Sequence, residues 1–147
     1  MKKEDKELIL KDLSARQPYG VFVGYEHYTD RHIVTTKLTG IRGGLYYDAD
    51  GQIPDNELKP YLRQMSDMTE KEKREFSMFI HKTETYKQQV CLDSDSMVSS
   101  VIGGFPCVYL SLFDKFVDWL IKHHIDFRGL IAKGLAIKAP EGMYKFE

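Results

Sequence analysis

Residues 111–144 read SLFDKFVDWLIKHHIDFRGLIAKGLAIKAPEGMY, and this tract carries the fold assignment. Phe113, Phe116, Val117, Leu120, Ile121 and His124 recur at spacings of three and four, the signature of one apolar helix face. The spacing predicts a helix over about 112–124. Ser111 is a suitable N-cap, Asp114 lies near the positive end of the dipole, and Lys122 with two histidines lies near the negative end. A compact tail of aromatics and glycines follows, and Trp119 is expected to be at least partly buried beneath residues 127–135.

Working outward, a second helix is expected over 70–81. Thr69 and Glu72 have the capping-box spacing. Phe76, Phe79 and Ile80 make its apolar stripe, and Glu70 is positioned to pair with Arg74 on the wet side. A third helix is expected over 4–14, with Ile9, Leu10 and Leu13 on one side and Lys and Asp on the other. It should stop near Gln17, because Pro18 disfavours helical geometry in the residue before it.

Residues 19–45 have a different texture. Val21, Val23 and the β-branched run of residues 33–36 favour extended backbone. Thr29-Asp30, Gly43-Gly44 and the segment from Asp48 to Gly51 supply turn chemistry. Three or four antiparallel strands are expected there. Residues 57–65 fit a helical turn or a short strand, since Pro60 argues against a long helix. A strand is expected over 86–92, a polar loop over 93–100, a break at Gly103-Gly104 and Pro106, and a brief strand over 108–110. The fold class that follows is α+β: a small antiparallel sheet or partial barrel packed with about three helices, in a single domain spanning 1–147.

The composition excludes several classes. The chain has 147 residues, 42% hydrophobic and 29% charged, which suits a globular domain with its own core. Its formal net charge of −1 lacks the basic excess of a dedicated duplex binder. The two cysteines, Cys91 and Cys107, do not make a secreted disulfide framework and lack the close spacing of zinc ligands. No apolar stretch approaches bilayer-spanning length, so no membrane partner is expected and the cytoplasm is the expected location.

The densest titratable cluster is His123, His124, Asp126 and Arg128. Adjacent helical residues point about 100° apart, which argues against a joint His–His metal site. The plainer account has one histidine packed inward, the other on the last helical carbonyls, and Arg128 paired with Asp126 or Asp118. A ligand-binding use keeps the cluster as a candidate: Arg128 for a phosphate or carboxylate, or the whole set as a small hydrolase or nucleotide site. Asp48, Asp50 and Gly51 lack the remaining ligands of a calcium loop, and the glycines from Gly40 to Gly44 match no nucleotide-binding pattern. A second candidate set, Tyr25, Arg31, Lys37, Arg42, Tyr46 and Tyr47, would stack and clamp single-stranded nucleic acid if its side chains shared one face. Strand aromatics more commonly pack across strands. No metal ligands, cofactor or catalytic residues are recognised.

Three ordered blocks carry a resemblance. The first is Glu4-Asp5-Lys6-Glu7-Leu8, Lys11-Asp12-Leu13, Arg16 and Pro18-Tyr19-Gly20-Val21. The second is Leu58-Lys59-Pro60-Tyr61-Leu62-Arg63 with Met65-Ser66-Asp67-Met68-Thr69-Glu70. The third is Asp118-Trp119-Leu120, His123-His124, Asp126-Phe127-Arg128-Gly129-Leu130-Ile131, Gly134-Leu135-Ala136 and Ala139-Pro140-Glu141-Gly142-Met143-Tyr144. Together these resemble short hypothetical proteins of gut Bacteroidales genomes and their phages or other mobile elements. The resemblance implies a mobile-element origin and brings no site residues with it. Segments 23–52 and 83–110 fit less well, and a partner-specific surface is expected among those strands and in the 93–106 loop. The leading expectation is therefore a non-enzymatic binding or adaptor protein with a protein partner, with nucleic acid as the alternative partner.

Overall fold

A computed structural model describes residues 1–81, 89–93, 97–102, 105–106 and 110–146, with side chains over 1–76 and 114–146. Its helices are α1 (Lys3–Arg16), α2 (Glu70–His81) and α3 (Leu110–Lys122). Its strands are β1 (Phe22–Glu26), β2 (Ile33–Lys37), β3 (Gly40–Arg42), β4 (Leu45–Asp48), β5 (Gly51–Ile53), β6 (Lys59–Leu62), β7 (Gln89–Asp93), β8 (Met97–Ile102), β9 (Phe105–Pro106) and β10 (Ile137–Lys138). The fold is α+β, with small, mostly antiparallel sheets that do not close into a barrel among the described residues. No helix among those residues is long and apolar enough to cross a membrane.

The principal sheet has the order β10-β6-β1-β2. β1 and β2 pair antiparallel from Phe22 opposite Lys37 to Glu26 opposite Ile33. β6 is shared between two neighbours. Its first half, Lys59 and Pro60, pairs with β1, and its second half, Tyr61 and Leu62, pairs parallel with β10. Proline is tolerated inside this sheet because Pro60 stands where β10 has not yet begun, so its missing N–H breaks no ladder on that side. Gly24 sits at the crowded middle of β1: a Cβ there would lie 2.9 Å from Ile137 Cδ1 and 3.0 Å from Ile33 Cγ2. The second sheet is the meander β3-β4-β5, whose first turn uses Gly43 and Gly44 at φ +57° and +77°. Two consecutive positive φ values match the primed turn that a tight hairpin favours.

Two apolar clusters fill the fold. Ile9, Leu13, Val21, Val23, Leu38, Tyr46, Leu62 and Leu130 belong to the first, between α1, the sheets and the tail. Met65, Met68, Phe76, Leu120 and Ile125 form the second, against which Phe116, Trp119 and Phe127 pack. The Thr69–Glu72 capping box forms as its spacing predicts: Thr69 N–H donates to Glu72 Oε2 (2.8 Å) and Glu72 N–H to Thr69 Oγ1 (3.2 Å).

Several expectations need correction. Residues 97–100, expected in a loop, belong to β8, where Val98, Val101 and Ile102 favour extended backbone. It pairs antiparallel with β7 and β9. The strand expected over 86–92 is β7, from Gln89, and 86–88 lie outside the described residues. Residues 103–104 and 107–109, including Cys107, also lie outside them, and Leu110 opens α3 instead of closing a strand. Ser111 is therefore inside the helix and does not cap it. Glu70 pairs with Lys73 (2.9 Å), one residue short of the expected Arg74. Asp12 does not join the wet face of α1: it is fully buried, on the side of Ile9 and Leu13.

That last correction leads to the central contact. Arg16 is also fully buried, and its Nε–H donates to Asp12 Oδ2 at 2.8 Å. Its Nη2–H donates to Ile125 O (2.8 Å) and its Nη1–H lies 3.5 Å from Ile121 O, so α1 is pinned to the end of α3. Breaking a buried pair by removing one partner leaves an uncompensated charge. Asp12→Leu should therefore lower the unfolding free energy in chemical denaturation by about 3–5 kcal/mol. The double variant Arg16→Met/Asp12→Leu should recover part of that loss. A single variant within experimental error of the parent chain would show that the pair carries no such weight.

Candidate functional site

Arg63, just past the end of β6, runs side by side with the turn after α3 as an isolated parallel bridge to Ile125. Arg63 N–H donates to His124 O (2.8 Å) and Asp126 N–H to Arg63 O (2.8 Å). This pairing fixes the titratable cluster, and α3 ends just before it. His124 N–H bonds Ile121 O (3.0 Å), Ile125 N–H bonds Leu120 O (2.9 Å), and His124 takes φ +55°. That pattern is a Schellman cap with histidine where glycine is usual. The predicted helix thus overruns by two residues, since both histidines lie beyond Lys122.

Each member of the cluster is occupied. Asp126, buried, accepts the amide N–H groups of Leu130 and Ile131 on its two oxygens, both at 2.8 Å, and so caps the turn that opens the tail. Arg128 Nη1–H donates to Asp12 Oδ1 and not to Asp126 or Asp118 as expected, because the tail folds back across α1. Both guanidinium groups lie over the Phe127 ring, that of Arg128 at 4.4 Å and that of Arg16 at 5.7 Å. His123 is stacked on Trp119 at 3.9 Å, with its Nδ1 2.9 Å from Trp119 O. Trp119 is half-buried as expected, with the rings of Phe76 (5.3 Å) and His123 packed on it.

His124 is 1% exposed, stacked on Tyr144 at 4.0 Å, with its Nε2 3.2 Å from Tyr19 O. Its Nδ1 has no hydrogen-bond partner among the described residues. A neutral ring with its proton on Nε2 suits both nitrogens. Burial first, and the Arg16 guanidinium second, pull its pKa down from 6.5 to about 4. Tyr144 closes the same layer: its hydroxyl donates to Tyr61 O (2.8 Å) and accepts Phe22 N–H (3.0 Å), and burial pushes the phenol upward.

Beside this layer opens a groove of about 640 Å³ between the start of α2, the end of β6 and the tail. Arg63 forms its base. The guanidinium bonds both Glu72 oxygens (2.8 and 2.7 Å), Asp67 O (3.1 Å) and His123 O (3.3 Å), and lies 5.0 Å from the Phe146 ring. Burial raises the Glu72 carboxyl, but the Arg63 fork and the Thr69 amide outweigh it and hold it below its ordinary range. The rim is charged in both senses: Lys71 lies 4.0 Å from Glu75, Lys138 lies 3.3 Å from Asp67, and Glu141 is exposed. Of the cluster singled out from the sequence, only His123 lines this groove.

The sheet set is scattered. Tyr46 is a core residue, and burial lifts its phenol to about 12. Tyr25 packs against the first apolar cluster. Arg42 covers the Tyr47 ring at 5.1 Å, Arg31 lies in the β1–β2 turn, and Lys37 folds over Gly20. Sequence reasoning missed the two residue sets that organise the surface. The pair Arg63 and Glu72 needed the tertiary approach of β6 and α2. His27, Asp30 and His32 had a readable signal, a His-x-x-Asp-x-His pattern spanning a turn. No family model, curated protein or solved structure matches the chain.

The buried His124 makes stability depend on pH. Its folded pKa lies below the unfolded value, so the unfolded chain takes up the proton first as pH falls. The contribution is complete above about pH 6.5 and is lost progressively toward pH 4. It is on the order of 3 kcal/mol. Denaturant unfolding should show this decline, and His124→Asn, which tolerates the positive φ, should flatten it. Equal slopes for the two proteins would refute the assignment to His124.

Proposed function

We propose that this protein is a non-enzymatic binding protein that takes a segment of a protein partner in the groove between α2 and the tail. The observation that carries this reading is the state of the titratable groups. Asp126, Arg128 and His124 are each turned into structural bonds, and the guanidinium at the base of the groove is closed on a carboxylate. Among the described residues, the groove gathers no acid, base and nucleophile aimed at one reacting atom, which catalysis would need. What it offers is a rim of exchangeable lysine and glutamate charges around the Tyr144 and Phe146 rings. Surface ion pairs of this kind are worth little by themselves and readily change partner.

A rim with both signs fits a polypeptide carrying both signs better than it fits a phosphate backbone. Dispersal of Tyr25, Tyr46 and Tyr47 over different environments weighs the same way. The resemblance of the three sequence blocks adds an expectation of mobile-element origin, and the low cysteine content one of a cytoplasmic setting.

Selection of random peptides on the intact chain tests the proposal. Enriched peptides should compete with one another and lose about fivefold in affinity for each charge reversed in Lys138→Glu and Glu141→Lys. Enrichment indifferent to both reversals, or salt-sensitive retention on single-stranded oligonucleotides in place of peptides, would overturn it.

A further inference from the structure

The turn between β1 and β2 carries a cluster unconnected with the groove. His27 follows β1 and His32 precedes β2, and His27 N–H donates to His32 O at 2.9 Å. Arg31, at φ +56°, turns the chain between them and its N–H donates to His27 O at 3.1 Å. Directly opposed residues of a hairpin project to the same face. The two imidazoles are accordingly stacked, 4.9 Å between centroids and 21° between planes. Asp30 reaches back from the turn to meet them. Its Oδ1 lies 3.7 Å from His27 Nδ1 and is hydrogen-bonded to His32 Nδ1. One donor atom from each of the three residues lies within 4.8 Å of the other two.

Local bonding accounts for part of this. Thr29 Oγ1 lies 2.9 Å from His27 Nδ1, and His32 N–H lies 3.3 Å from Asp30 Oδ1. Those contacts stabilise the turn, but they do not call for two imidazoles stacked with their Nδ1 atoms beside one carboxylate. An ion held at about 2.0–2.2 Å by each ligand needs donors on the order of 3.3 Å apart. The observed spacings bracket that value, and side-chain rotations alone would even them out.

We propose that His27, Asp30 and His32 form a three-donor site for a borderline divalent transition cation of the Zn²⁺ type. Two imidazole nitrogens and one carboxylate oxygen suit such an ion better than Mg²⁺ or Ca²⁺, which favour all-oxygen shells. The side chains are 43%, 62% and 55% exposed, so the remaining coordination position faces solvent. A structural zinc site is closed by four protein ligands, and this one is not. The fourth position holds water, which a donor from another molecule can replace. The site is therefore an exposed metal anchor at the tip of a hairpin.

The test uses the chain and Zn²⁺ alone, followed by calorimetry and by ring-proton NMR of its five histidines. One equivalent should bind, with shifts confined to His27 and His32, while Mg²⁺ leaves both unmoved. His27→Ala and His32→Ala should each weaken binding by about tenfold or more, and Asp30→Asn should weaken it less. Asp30 and His32 are exposed and His27 is only partly buried, so the far-ultraviolet circular dichroism should not change. Absence of saturable binding, shifts centred on other histidines, or affinity unaltered in the His27→Ala/His32→Ala double variant would each overturn the assignment.

Discussion

A guanidinium sealed inside the protein constrains everything around it. Arg16 cannot leave its charge unanswered where it has no contact with solvent, so its donors must be met by fixed acceptors. Asp12 answers with one oxygen, and the carbonyl groups at the end of α3 answer next. Those carbonyls are the orphans that every helix leaves at its C-terminus, and they carry the negative end of the helix dipole. One side chain thus resolves three separate demands: its own charge, the Asp12 carboxylate and the exposed end of a helix more than a hundred residues away. The second oxygen of Asp12 then recruits Arg128, so the tail is drawn onto the same centre.

The turn that ends α3 is shaped by this arrangement. The Schellman cap places His124 in the left-handed region, where a side chain other than glycine is disfavoured. The ring gains compensation from Tyr144 on one face and from the Tyr19 carbonyl at Nε2. Tyr144 in turn ties Phe22 and Tyr61, which belong to neighbouring strands. The tail is therefore integral to the core: it supplies β10 to the sheet, Tyr144 to the histidine layer and Phe146 to the groove. Among the described residues of this web, nearly every polar atom answers a structural need.

The legible parts were those governed by short-range rules. The Thr69–Glu72 box needs only its own spacing, and the alternation from Val21 onward needs only a half-buried strand. Gly43-Gly44 likewise announces its turn. The apolar stripe of α3 was readable, whereas its end was not, because the stop depends on Arg16 and on β6 drawing residues 124–126 alongside Arg63. Asp12 was misread for a related reason, and Arg16 drew no reading at all. They lie at positions that continue the stripe of Ile9 and Leu13, but charge argued for solvent, and only a partner over a hundred residues on makes burial tolerable. The same blindness applied to Arg128, whose partner lies on α1. Of the candidate cluster, the residues stood out by titratable chemistry alone, whereas the partners of Arg128 and His124 on α1 and at Tyr19 depend on tertiary approach.

The geometry of β1 separates the groove from the hairpin tip. Phe22, at its start, contacts Tyr144 and so borders the groove, while His27 lies just past its end. The intervening strand spans roughly 16 Å at about 3.3 Å per residue. It is paired on both sides and cannot be compressed or reversed without breaking those ladders. A cation at the hairpin and a peptide in the groove would therefore sit at opposite ends of one stiff element, with neither sharing a ligand with the other. Long-range coupling between them would need a second arrangement of β1, which would have to break its pairing with β2 and β6. The two sites should behave additively, as separate contacts on a common scaffold, so that whatever engages one finds the other already in place.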